Sequence, residues 1–198
     1  MTTTIEVLIW ALTLIIFYRL GRYFTTPLFI KLGWYQYITR MVFIQAMPGD
    51  VVELHLGTTY DFFKLKNVNS KILFAHLVDG MHHLCEQIAD GRISRTTTLK
   101  ATTYFLDAQT LHRFGFKTRK LNPLEHFMFA LNYLELILLL SLSKGALRRP
   151  KMRDVKIAYC QAGDLLAYRD LYLRLHQSTA LSLQHQRRLQ VDEGSAAS

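Results

Sequence analysis

The stretch Gly49-Asp50-Val51-Val52-Glu53-Leu54-His55-Leu56-Gly57-Thr58-Thr59-Tyr60-Asp61 gathers the densest polar chemistry on the chain. If 51–56 form a strand, alternation places Glu53 and His55 on one face and Val52, Leu54 and Leu56 on the other. A carboxylate beside an imidazole can orient it for proton transfer, or the two can join a metal shell. Tyr60 and Asp61 follow closely, which makes Glu53, His55, Tyr60 and Asp61 the candidate catalytic set. The competing reading is structural: a solvated sheet face, with Thr58 or Thr59 capping the next helix.

His76, Asp79 and His83 recur at three- and four-residue steps, so a helix would present them on one side. They form the candidate metal set, and a divalent cation is the one cofactor the sequence suggests. The spacing is not His-Glu-x-x-His, and a wet helix face accounts for it equally. Lys144, Arg148, Arg149, Lys151 and Arg153 form a basic cluster suited to an anionic surface. Each such cation contributes ~1 kcal/mol near anionic lipid, and the alternative is a solvated loop. The sequence carries no Gly-x-Ser-x-Gly, no P-loop and no nucleic-acid-binding signature. Cys85 and Cys160 stand in apolar contexts and read as buried free thiols, since two cysteines make no disulfide framework.

The elements that must position these residues sit in a basic chain of 198 residues with a formal charge of +9. That balance favours anionic partners: lipid headgroups, phosphorylated small molecules or nucleic acid, the last ranked lowest for want of a motif. Near the N-terminus, the segment from Ile5 to Tyr18 is apolar apart from Glu6 and Thr13. It is short for a membrane span, which needs ~20 residues, but Thr2 to Thr4 and Leu20 bring it near the minimum. No basic residue precedes it, whereas Arg19, Arg22, Lys31 and Arg40 follow, which argues against a cleaved signal and for a retained anchor with the domain cytosolic. A buried core helix is the rival reading. Residues 23–40 interleave aromatics with cations and read as an interfacial segment, broken by Pro27 and Gly33.

Residues 41–46 and 51–56 read as strands joined by a Pro48-Gly49 turn. The clearest helix is 70–90, with Leu73, Leu77, Met81, Leu84 and Ile88 on its apolar side and Gly91 at its end. Further strands are expected at 97–106 and 155–160, a short helix after Asp107, and a last helix from Asp164. Asn122-Pro123-Leu124-Glu125 is a capping box opening a helix that runs through 127–142 to Gly145. This helix is apolar enough to span a membrane, but cations flank both ends, and Glu125, Asn132 and Glu135 would be costly in lipid. It is expected to pack on the domain or dip into the inner leaflet, with a second span at 124–143 as the alternative.

The expected fold class is therefore α+β: an N-terminal transmembrane helix followed by a small mixed or antiparallel sheet covered by helices. The divisions are an anchor at 1–22, an interfacial segment at 23–40, an α+β domain at 41–190 and a disordered tail at 191–198. The functional expectation is a membrane-anchored accessory or interaction protein, whose partners are membrane lipid and another protein. The alternative is a membrane-associated hydrolase or transferase acting on a lipid-linked or other anionic small-molecule substrate.

Overall fold

The computed structural model describes residues 2–65 and 69–180. The tail at 191–198 lies outside these residues. Helix α1 (Thr2–Lys31) leads into a mixed six-stranded sheet: β1 (Tyr35–Tyr37), β2 (Val42–Met47), β3 (Val51–Leu56), β4 (Thr98–Thr103), β5 (Lys117–Arg119) and β6 (Lys156–Gln161). The spatial order is β1-β2-β3-β4-β6-β5. Helices α2 (Thr59–Lys64) and α3 (Ser70–Ala89) connect β3 to β4, and α4 (Ala108–Arg113) follows β4. Helices α5 (Pro123–Leu131) and α6 (Tyr133–Lys144) lie between β5 and β6. After β6 the chain continues as α7 (Ala162–Leu165), a single 3₁₀ turn and α8 (169–180).

The β2–β3 hairpin forms because its loop residues suit it. Met47 pairs with Val51, leaving Pro48, Gly49 and Asp50 as the loop. Gly49 takes a positive φ of 82° and Asp50 one of 53°. The aspartate's left-handed backbone is held from the neighbouring strand: Thr97 Oγ1 donates to Asp50 Oδ1 at 2.9 Å and the Thr98 amide to Asp50 O at 3.0 Å. Asn69 caps α3 through the Ile72 amide, and Gly91, with φ 75°, ends it.

One face of the sheet packs on α3. Met81, Leu84, Cys85 and Ile88 meet Ile44, Leu99, Ala158 and Cys160, all buried. Contact is closest at Gly80, where an added Cβ would lie 2.4–2.8 Å from three side-chain atoms of Val42. The opposite face carries a second cluster, in which Leu121, Phe129, Val155 and Ile157 are buried beneath α5 and the start of α6. Both cysteines are buried. Burial pushes the Cys85 thiol up to about 11 and the Cys160 thiol up to about 12, so neither supplies a thiolate nucleophile at neutral pH.

Three expectations need correction. Pro27 does not interrupt α1, which continues to Lys31. Proline removes one backbone donor, and a helix tolerates that where surroundings favour continuity. The expected long helix from Pro123 is two helices, bent by 58° at Asn132, whose side chain turns back to donate to Met128 O at 2.8 Å. Such competition with the backbone ladder is a recognised cause of helix breaks. Strand β5 was not foreseen; its three residues, Lys117, Thr118 and Arg119, have no apolar alternation to give it away.

No single helix among the described residues is long and apolar enough to cross a membrane, while α5 and α6 meet that requirement only together, as a bent pair.

Candidate functional site

The four candidate catalytic residues fall on or just beyond β3, and the fold ties most of them to structural tasks. Asp61 completes a capping box at the start of α2: its Oδ2 accepts from the Thr58 amide at 2.7 Å and from Thr58 Oγ1 at 2.8 Å. Tyr37 Oη donates to the same oxygen at 2.6 Å. Burial, and then this carboxylate, raise the Tyr37 phenol well above its ordinary range, so it remains a donor at any physiological pH. Tyr60 lies beneath Lys64 Nζ, 3.9 Å from the ring centroid, in a cation–π contact.

Glu53 and His55 do share one sheet face. Their Oε2 and Nε2 atoms stand 3.9 Å apart, beyond direct hydrogen-bond reach. Thr102 Oγ1, across on β4, reaches Glu53 Oε1 at 3.4 Å. The His55 ring stacks on Phe43 at 4.9 Å, and Phe43 stacks on Tyr37 at 5.2 Å. A row of rings thus joins His55 to the Asp61 cap. The sequence reading missed Tyr37, Phe43 and Thr102, whose pairing across strands depends on registers that local pattern does not give.

His76, Asp79 and His83 all lie on α3, as expected, but are not arranged around a common point. His83 Nδ1 lies 3.3 Å from Asp79 Oδ1, and His176 Nδ1 from α8 lies 3.3 Å from the same atom. His82 stands 5.0 Å, ring to ring, from His176. Burial lowers the pKa of both His76 and His82, which favours neutral imidazoles. Among the described residues, no three His, Cys, Asp or Glu side chains are placed to hold a metal ion. The histidines join α3 to α8 instead.

The basic cluster is an exposed loop with a fixed backbone. Gly145 ends α6 with φ 63°. The Arg148 amide donates to Ser141 Oγ at 3.0 Å, and Tyr133 Oη donates to Pro150 O at 2.9 Å. Lys144, Arg148, Arg149, Lys151 and Arg153 all remain exposed around Leu147, which is 74 % accessible.

The polar residues of α5 and α6 turn towards the domain. Glu125 closes its own capping box with Asn122, accepts two hydrogen bonds of 2.7 Å from Arg119, and lies 3.0 Å from Lys100 Nζ. Glu135 accepts from Thr59 Oγ1. Leu124, Phe127, Met128, Leu134, Leu138 and Leu142 are left exposed along the same two helices.

The Arg119 pair holds the Glu125 carboxyl far below the usual carboxylate range. A depressed folded-state pKa gives stabilisation that is full above the ordinary value of 4.5 and is lost as pH falls towards the folded value. Glu125→Gln should therefore cost about 1–2 kcal/mol at pH 7. Urea unfolding at stepped pH should show that difference narrowing below pH 4.5, because the parent protein is then losing the same contribution.

Exposure is most extensive on α1. Ile5, Val7, Ile9, Trp10, Leu14 and Phe17 are all exposed, and at 100° per residue they spread over an arc of about 200° around the helix. The helix meets the domain at its C-terminal end, where Phe29 stacks on Trp34 at 5.1 Å and packs edge-on to Tyr35 at 5.5 Å.

The fold defines a mixed α+β protein in which a 30-residue helix precedes a six-stranded sheet. Comparison with family models, characterised proteins and solved structures finds no match to this chain.

Proposed function

We propose that this chain is a membrane-tethered accessory protein, in which α1 enters the bilayer and holds the basic α+β domain against the cytosolic surface. The observation that supports this reading is the wide arc of exposed apolar side chains along α1 from Ile5 to Phe17. An exposed apolar patch of this extent marks a lipid or protein contact. The apolar stretch is short for a full span, which a locally thinned bilayer accommodates at modest cost. The cations that follow it favour a cytosolic domain.

A second surface supports the same arrangement. Helices α5 and α6 direct Glu125 and Glu135 to the domain and leave leucines, Phe127 and Met128 outside, the reverse of a helix on an aqueous surface. The cation-flanked Leu147 loop continues that surface. In this reading α5 and α6 lie in the inner leaflet and Lys144–Arg153 cations meet anionic headgroups. Arg148→Glu combined with Arg149→Glu should reduce recovery on phosphatidylglycerol-containing vesicles by at least tenfold in flotation, with little change on phosphatidylcholine alone. An equal loss on both vesicle types would remove the electrostatic part of the proposal.

A second reading, an enzyme acting on a lipid-linked substrate, is favoured by Glu53 and His55 standing 3.9 Å apart where β3 leaves β4. Loss of turnover on anionic lipid in His55→Gln, with folding intact, would distinguish it from the accessory role.

A further inference from the structure

The sheet is open at its centre. Strands β2 and β3 pair over their full length, Val42 to Leu56 through Met47 to Val51, and β4 pairs with β6 from Thr98 to Thr103. The parallel ladder between β3 and β4 is much shorter: it ends at Glu53–Lys100. Beyond that rung the strands part, and a cavity of about 80 Å³ fills the gap. Leu54, His55 and Leu56 line one side and Ala101, Thr102 and Thr103 the other. The remaining lining, including Leu77, Leu111, Ala158 and Tyr172, belongs to the core on the α3 side, so the cavity extends from this gap towards α3. Its floor is apolar, formed by Met81 of α3, Leu111, Phe116 and Tyr172, and exposed Phe105 stands at its rim.

Thr103 gives the cavity a polar feature. The residue is 5 % exposed, and its Oγ1 has no hydrogen-bond partner among the described residues. A buried hydroxyl is ordinarily satisfied, so one left over in a cavity wall indicates a missing acceptor or donor. The crevice lies between the carboxyl-terminal halves of two parallel strands.

We propose that this crevice binds a long-chain fatty acyl group, with the chain between β3 and β4 and its carbonyl or carboxylate oxygen accepting a hydrogen bond from Thr103. A slit one strand-gap wide admits a slender chain more readily than a bulky ring. The cavity is about half the size of the ~150 Å³ void known to take up benzene, enough for part of a chain but not a headgroup. The choice of an acyl chain over another slender apolar molecule rests on the membrane reading above; the existence of the site does not.

The test uses the full-length protein, a diazirine-bearing C16 fatty acid as probe, and peptide mapping of the photo-adducts, both in vesicles and in vesicle-free buffer. Adducts are expected within 54–56 and 101–105, competed at least fivefold better by palmitate than by hexadecane. Ala101→Trp, which fills the gap, should reduce them tenfold. Thr103→Val, the milder variant, should keep the adducts but lose the preference for palmitate. Adducts confined to α1, α5 and α6, or a palmitate preference that survives Thr103→Val, would overturn the proposal. If crevice adducts form from free fatty acid while the protein ignores vesicles, the acyl site stands and the tethering account fails.

Discussion

Replacing Leu14 with lysine should lower recovery of the protein on vesicles by about 100-fold, while Leu14→Ala changes it by only a few-fold. Leu14 lies midway along the exposed apolar part of α1, where the helix makes no use of it for packing on the domain core. Lysine at the centre of an inserted helix costs about 3 kcal/mol relative to leucine, and every 1.4 kcal/mol is tenfold in partition. The thermal midpoint of the domain should not move, because the substitution lies outside both hydrophobic clusters. Flotation together with far-UV melting separates these outcomes. Unchanged recovery would mean that α1 reaches no hydrocarbon.

The largest expected loss of folding stability comes from one methyl group. Gly80→Ala places a Cβ 2.4 Å from Val42 Cγ2 and 2.5 Å from Val42 Cβ. Alanine would ordinarily strengthen a helix interior by ~1 kcal/mol over glycine. Here that gain is overtaken by overpacking, which typically costs 1–3 kcal/mol and here sets a helix against a β-branched residue on a fixed strand. A net loss of about 2 kcal/mol in urea unfolding is expected. Val42→Ala should also destabilise, through the cavity it leaves, yet the double variant should be better than the sum of the two, because each change relieves the other. Strict additivity would place the close approach elsewhere than between Gly80 and Val42.

Much of this architecture could be read from local sequence. The Pro48-Gly49 turn, the Asn122–Glu125 capping box, the α3 periodicity from Leu73 to Ile88 and the glycine stops at 91, 115 and 145 are decisions taken within a few residues, and the structure contains each of them. What could not be read depends on which strand lies beside which. The β3–β4 pairing brings Glu53 to Lys100 and Thr102, and no local pattern announces that this ladder stops after Glu53. The crevice is a property of the stop and was therefore invisible. The same holds for the α5–α6 bend at Asn132, where apolar composition alone suggested one continuous helix.

The candidate site fared similarly. Alternation correctly put Glu53 and His55 on one face, but Asp61 is claimed by Thr58 and Tyr37 and Tyr60 by Lys64. Spacing along α3 gathered the histidines without showing that Asp79 would be shared with His176 from a helix nearly a hundred residues later. Glu125, suspected as a costly group in lipid, is neutralised by Arg119 and Lys100 from two different strands.

The chain has two tryptophans, and one of them, Trp10, is 68 % exposed on the apolar part of α1. With Trp34 replaced by phenylalanine, its fluorescence reports the depth of that helix alone. In vesicles whose acyl chains carry bromine near the bilayer centre, the tethering account predicts strong quenching of Trp10 and protection from aqueous iodide. Trp10 emission left untouched by every brominated lipid, and quenched by iodide as freely as in buffer, would contradict it.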